Sequence, residues 1–296
     1  MKTVDVNPLE DKFAEYEAWL SQQPLSRHTK RAYQSRIRQF LKFIGQMHSS
    51  SLSSAQTPIS RQAVVAYTEF LKSSLNAEPT SVNNSLTAID HFCQFLGMEP
   101  SRVQRERAVS VNPRTLTGEE QERFLQSVES RRSTRDKAMS FLFLYAGLRP
   151  GECAALNVED LVNADQSHKI VVQGNNQREV VLSTATAKIL NSWLQERSSI
   201  IGNPKEEALF VNAQGRRLST AGIDLIIRGI GWTAKLDLSA QVLRHTCLAN
   251  LANSGSDLIS LAQMAGHKSL DTTKRYCAQG SSDTPKPPMP GSLATA

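Results

Sequence analysis

Long apolar runs are missing from this chain. No stretch approaches the roughly 18 consecutive apolar residues that span a bilayer, and the opening MKTVDVNPLEDK has no apolar signal-peptide segment. These absences predict a cytoplasmic protein with no membrane partner. Cysteine is scarce as well. Cys93, Cys153, Cys247 and Cys277 lack the paired short spacing of a zinc site and read as reduced thiols. There is no G-x-x-x-x-G-K-[ST] loop for nucleotide phosphates and no acidic cluster suited to magnesium. The expectation is therefore no cofactor and no metal.

What is present is ordinary in bulk. The 296 residues exceed the usual size of one domain and favour two, each with its own core. Hydrophobic residues at 40% and charged residues at 21% fit a globular fold. Lys and Arg number 34 against 28 Asp and Glu, a net charge of +6. A polyanionic partner fits that balance, and so does a well-solvated basic surface.

From Leu9 to about Met98 the pattern predicts four helices. The clearest follows Ser26, in RHTKRAYQSRIRQFLKFIG, where Tyr33, Ile37, Phe40, Leu41 and Ile44 recur at helical spacing and Gly45 supplies a stop. Its other faces carry Arg27, Lys30, Arg31, Arg36 and Arg38. A Ser-rich connector at Ser49 to Ser54 precedes ISRQAVVAYTEFLKSSL, and TSVNNSLTAIDHFCQFLGM opens with Thr80 or Ser81 as the candidate N-cap. Between Met98 and Leu116 the apolar period disappears. That stretch holds two prolines and the arginines Arg102, Arg105, Arg107 and Arg114, and reads as an interdomain linker. It is either an ordinary charged loop or a basic strap along a phosphate backbone.

The second half starts a helix at Thr117, with acids in the first turn of GEEQERFLQSV. SFLFLYAGLRPGE then runs from a nearly all-apolar helix into a Gly and Pro break. KIVVQGNNQREVVLS predicts a β-hairpin around its Gly-Asn-Asn turn. Helices follow around Thr184 to Arg197 and Thr220 to Ile230, then three short ones separated by Gly255 and Gly266. The Pro-, Ser- and Gly-rich end is expected to be disordered. The predicted domains are 9–99, helical; 100–115, linker; 116–278, helical with one small sheet; and 279–296, a tail.

Several residues stand out for chemistry. Arg149 follows a buried helix, where a charged side chain needs an anion to meet it, and Glu152 three residues on is one candidate. The plain alternative is an internal ion pair. Arg244, in QVLRHTCLANLA, lies beside the apolar stripe of Leu243, Cys247, Leu248 and Leu251. Taken alone it is a solvated helix residue. His267 follows Gly266, and Tyr276 comes nine positions later in GHKSLDTTKRYC. Either is structural if read alone.

AGLRPGE, LRHT and AGHKSLDTTKRY, in that order, resemble the three signature segments of the tyrosine recombinase and phage integrase family. The resemblance extends from about Leu9 to Cys277. It implies a mainly α fold with a small β-sheet in the C-terminal domain, built as a helical core-binding domain plus an α+β catalytic domain that together clamp double-stranded DNA. Arg149 and Arg244 would be the catalytic arginines, His267 the late histidine, Tyr276 the nucleophile and Glu152 the acid supporting the first arginine. His245, frequent in the family, would buttress the site. Arg27, Lys30, Arg31, Arg36, Arg38, Arg102, Arg105, Arg107 and Arg178 are candidates for DNA contact. A tetrameric synapse of protomers on DNA and accessory proteins are the implied partners.

Two positions depart from the family. Gln241 stands where a histidine precedes the second arginine, and the hairpin lysine is replaced by Gln173 or Gly174, depending on the alignment of the turn. Neither glutamine nor glycine transfers protons at neutral pH. Lys169 and Arg178 are the nearest cations, and the acid role stays unassigned. Two readings compete with a recombinase: a weakened or inactive accessory DNA-binding protein on the same fold, and a regulator whose helix-turn-helix is SDLISLAQMAGHKSLDTTKRY.

Overall fold

The computed structural model describes residues 8–50, 59–107, 112–164, 167–174, 176–203 and 205–277. The chain divides into two compact units, Met1–Ser110 and Val111–Ala296. The expected tail at 279–296 and most of the Ser-rich connector lie outside the described residues.

The first unit contains α1 (Pro8–Gln22), α2 (Arg27–Ser50), α3 (Arg61–Ser73) and α4 (Pro79–Phe95). The apolar period of α2 is its buried stripe: Ile37, Phe40 and Ile44 join Tyr16, Leu20, Tyr67, Ile89 and Phe92 in one core. Burying a large apolar side chain contributes roughly 1.5–3 kcal/mol relative to exposure. That packing carries α2 through Gly45 to Ser50, so the expected stop is overruled; one helical glycine costs only about 1 kcal/mol against alanine. The start of α4 also differs from expectation. Its N-cap is Glu78, with no side-chain cap bond, and Pro79 takes the first helical position in place of a Thr80 or Ser81 cap. Proline suits that position, since its φ is preset and it has no N–H to satisfy. Helix α3 forms within the segment ISRQAVVAYTEFLKSSL, with Ser60 Oγ accepting from the Ala63 amide at 3.1 Å.

Residues 101–107 are held to α4. Asp90 Oδ1 accepts the Ser101 amide at 2.9 Å, Asp90 Oδ2 accepts from Arg105 at 2.7 Å, and Asn83 exchanges two 2.8 Å bonds with the Glu106 backbone. The first part of the stretch read as a linker is thus pinned to the first unit.

The second unit opens with α5 (Gly118–Glu129), closed by a capping box between Thr117 and Glu120. Helix α6 (Thr134–Tyr145) is buried along Phe141, Leu142, Phe143 and Leu144, which accounts for its nearly unbroken apolar sequence. After α7 (Pro150–Ala155) come β1 (Leu161–Ala164), β2 (Ser167–Val172) and β3 (Arg178–Leu182), an antiparallel sheet in that order. The hairpin is the expected one, with Ile170 opposite Val180 and both buried. Strand β1 was not anticipated: four residues are too few to show a period, and pairing with β2 defines them. Helices α8 (Thr184–Ile200), α9 (Thr220–Thr233), α10 (Ala240–Asn253), α11 (Leu258–Ala265) and α12 (Leu270–Cys277) complete the unit. Among the described residues no helix is long and apolar enough to cross a membrane.

Candidate active site

Arg149 is the N-cap of α7. Its Nη1 donates to Glu152 Oε1 at 2.6 Å and its amide to Glu152 Oε2 at 2.8 Å. This is the ion pair that the sequence allowed, and it is only part of the arrangement. Arg149 Nη2 also donates to the Gly266 carbonyl at 2.7 Å, tying α7 to the end of α11. Arg178, at the start of β3, places Nη1 and Nη2 on the two Glu152 oxygens at 2.8 and 2.9 Å, and its Nε donates to the Met264 carbonyl at 2.6 Å. Burial pushes the Glu152 carboxyl up, but the bonds from Arg178 and Arg149 outweigh it and hold the group down at about 2.

Gly266 is needed here for two reasons. Its φ of 61° is a left-handed helix cap. A Cβ would sit 3.0 Å from Arg178 Nη1 and 3.1 Å from Arg149 Nη1, so both guanidiniums lie against bare backbone.

Arg244, on α10, is 2% exposed. Its Nη1 donates to the Gly147 carbonyl and its Nη2 to the Ala265 carbonyl at 2.7 Å. The solvated-helix reading of this residue does not hold. Burial, and then the charge of Arg149, lower its pKa to about 10, so it stays cationic at neutral pH. Arg149 and Arg178 share the Glu152 carboxylate while Arg244 donates to backbone carbonyls, so the three guanidiniums carry two more positive charges than the carboxylate balances.

His267 follows Gly266, and its Nε2 lies 3.4 Å from Arg244 Nη2. Because a guanidinium only donates, Nε2 accepts; Nδ1 therefore carries the proton and donates to Thr273 Oγ1 at 2.9 Å. Burial, then Arg244, Arg149 and Arg178, lower the imidazole to about 4, so it is neutral at pH 7. Tyr276, on α12, is 3% exposed and packs with Leu248, Ala249, Leu261 and Ala265. Its ring stacks on His267 at 13° with centroids 6.2 Å apart. Its hydroxyl lies 2.6 Å from His245 Nδ1. Burial raises its pKa against the pull of Arg244, Arg275 and Arg149, so the resting phenol is neutral. Gln241 Nε2 lies 3.3 Å from His245 Nε2, one turn earlier on α10.

Arg149, Arg244, His267, Tyr276, Glu152, His245 and Gln241 are thus one connected cluster. Arg178, expected among the DNA-contacting cations, joins them through Glu152, with only 8% of its side chain exposed. Gln173 is tied to Asp160 Oδ1 at 2.9 Å, and Lys169 pairs with Glu179 at 2.9 Å. Thr273, which is fully buried, was missed. Its spacing of three before Tyr276, one turn on the same helix face, was the available signal.

The other basic candidates belong to the first unit. Arg27, Arg31 and Arg107 are exposed. Arg38 pairs with Glu17 at 3.0 Å, Arg102 with Glu99 at 3.1 Å and Arg105 with Asp90 at 2.7 Å. Lys30 and Arg36 donate to the carbonyls of Ser21 and Ala32. Among the described residues no group of three His, Cys, Asp or Glu side chains is arranged to hold a metal ion.

Comparison with known proteins places the family and the fold. Residues 114–282 match the model of the phage integrase family, and residues 13–99 match the phage integrase N-terminal SAM-like domain. The chain is 27% identical to tyrosine recombinase XerC of Herpetosiphon aurantiacus over 288 residues, covering 90% of each chain. The fold is that of XerH site-specific recombinase bound to a palindromic difH substrate in a post-cleavage complex: TM-score 0.72, 18% identity, 94% of this chain and 95% of that one. A lambda integrase tetramer bound to a Holliday junction aligns with TM-score 0.65 and 16% identity over 93% of this chain and 78% of that one. The chain belongs to the phage integrase family.

Proposed function

We propose that Tyr276 is the nucleophile of a site-specific DNA recombinase, and that Arg149, Arg244 and His267 hold the phosphate it attacks. The observation that carries this reading is a cluster of three guanidiniums, two sharing the Glu152 carboxylate and Arg244 held by backbone carbonyls next to His267, beside a buried phenol. Such a surplus of positive charge, with Arg178 and Arg244 buried and Arg149 half-buried, is stabilised by an anion. A phosphodiester offers two non-bridging oxygens, and guanidinium forks match them without ever losing charge. Charge grows on those oxygens as phosphorus becomes five-coordinate, so the arginines bind the transition state more tightly than the ground state.

In the reaction the Tyr276 oxygen bonds to phosphorus and the bond to the 5′ oxygen breaks. The products are a 3′-phosphotyrosine and a free 5′-hydroxyl. The covalent bond retains the phosphodiester energy, and rejoining to a partner strand consumes no nucleotide. Glu152 and Arg178 are positioning residues that lock Arg149 and the Met264–Gly266 backbone.

Residues 9–99 serve as the core-binding domain, 100–115 as the connection and 116–278 as the catalytic domain. Double-stranded DNA is the partner, bound by a synapse of four protomers, with accessory proteins assisting in the cytoplasm. The DNA-bound XerH complex and the lambda integrase tetramer support this assembly. The helix-turn-helix regulator is not favoured, because it leaves Tyr276 and the arginine cluster without a task. An accessory protein that binds without cutting keeps the fold but leaves the buried phenol unused.

The test is covalent capture. Singly nicked duplexes are selected for binding from a pool with randomised sequence, incubated with the protein and denatured. A protein–DNA adduct is expected with the unaltered chain and none with Tyr276→Phe. Specific binding without an adduct in either would overturn the enzymatic reading.

A further inference from the structure

A phenol that attacks phosphorus must lose its proton to an acceptor within roughly 2.6–3.2 Å. Gln241 cannot take that proton, although the family resemblance places a histidine there. Arg149 and Arg244 only donate. His267 is also excluded: its ring lies parallel to the phenol, its Nε2 faces Arg244 and its Nδ1 faces Thr273. What remains is His245, whose Nδ1 lies 2.6 Å from the Tyr276 hydroxyl.

We propose that His245 is the general base that deprotonates Tyr276, and that Gln241 holds it in the accepting tautomer. This rests on Tyr276 being the nucleophile. Gln241 Nε2 faces His245 Nε2 at 3.3 Å; turning the amide over exchanges its nitrogen for Oε1, and His245 then donates Nε2–H to that oxygen and leaves the Nδ1 lone pair for the phenol. As the Tyr276 oxygen bonds to phosphorus, its O–H bond breaks and the proton passes to Nδ1. The resulting imidazolium donates on both sides, to the departing proton's former oxygen and to Gln241. The P–O5′ electron pair leaves with the 5′ oxygen, which takes a proton from water. Rejoining returns the proton from Nδ1 to the tyrosine oxygen.

The groups facing His245 are Arg244 on its own helix, Tyr276 from α12 and, by charge, His267 from the turn before α12. Burial, and then Arg244, hold the imidazole neutral at pH 7, the form a base requires. A histidine at position 241 is unnecessary in this arrangement, so the departure from the family relocates the base one helical turn along α10.

The experiment measures single-turnover adduct formation between pH 6 and 9 on the selected nicked duplexes, with either oxygen or sulfur as the 5′ leaving atom. His245→Asn keeps a hydrogen-bonding group near the Nδ1 position but cannot carry the proton. Its rate is expected to fall about 10²–10⁴-fold on both substrates, with DNA binding retained. The residual rate should climb about tenfold per pH unit, because the phenol must then ionise unaided. Gln241→Ala should slow the reaction less, and added imidazole should partly restore His245→Ala. An undiminished rate in His245→Asn overturns the inference. So does recovery of His245→Asn on the sulfur substrate alone, since a thiolate leaves without a proton and His245 would then be the acid. Absence of any adduct from the unaltered chain overturns the nucleophile reading itself, and the inference with it.

Discussion

Arg38 in the first unit and Arg244 in the second are the same side chain in opposite settings. Arg38 has 67% of its side chain exposed, pairs with Glu17 and lies 5.3 Å over the Phe13 ring. Arg244 is 2% exposed and donates to the carbonyls of Gly147 and Ala265, with no carboxylate of its own. Water serves the first guanidinium as well as Glu17 does, so it remains available to a partner. The second depends on fixed backbone dipoles, and exchanging them for solvent would open the fold. The first guanidinium is thus exchangeable with solvent, and the second is fixed in place by the fold.

The sharpest way to break that comparison is Arg244→Ala. Two buried carbonyls lose their donor, at roughly 1–3 kcal/mol each, and adduct formation should fall by more than about 10²–10³-fold, the cost of one oxyanion donor. Urea unfolding and single-turnover kinetics check both effects. Arg244→Lys should rescue stability better than rate, because an ammonium lacks the planar fork.

Glu152→Gln comes next. The folded carboxyl lies at about 2, below its ordinary value of 4.5, so its stabilisation is fully present above about pH 4.5 and is lost as the pH falls toward 2. That difference is worth about 3 kcal/mol at neutral pH. Unfolding of the two proteins measured from pH 7 to pH 3 should show the gap narrowing on the acid side; a constant gap would mean that Glu152 acts through shape alone.

Gly266→Ala is expected to cost about 1 kcal/mol for the left-handed conformation, with a larger loss in rate because the new methyl displaces the Arg149 and Arg178 forks. Arg38→Ala should be the mildest for the fold, within about 0.5 kcal/mol, while weakening DNA binding. The log-log salt slope should drop by about 0.9 for each phosphate contact removed. A flat salt response of the unaltered chain would remove the contrast between the two units.

The sequence made much of this legible, and the failures have physical causes. The apolar period of α2 read correctly because a helix buries one stripe, whereas its end did not, because packing around Ile44 outweighs the helical cost of Gly45. The fork of Arg178 on Glu152 was invisible, since 26 residues separate them and only the fold of β3 against α11 closes the gap. Thr273 was overlooked for a different reason: its partner His267 is only six residues away, but the turn before α12 decides which way that ring faces.

By itself the sequence determined the helical stripes, the hairpin, the capped helix at Thr117 and the order of the three signature segments, all of which follow from local periodicity, turn chemistry and residue type. Tertiary structure alone decided which nitrogen of His267 carries its proton, which arginines share Glu152, and that His245 rather than Gln241 meets the tyrosine hydroxyl. Those outcomes depend on distances of about 3 Å between side chains on different elements or turns, most of them more than 20 residues apart in the chain, and hydrogen bonds and desolvation act only at that range.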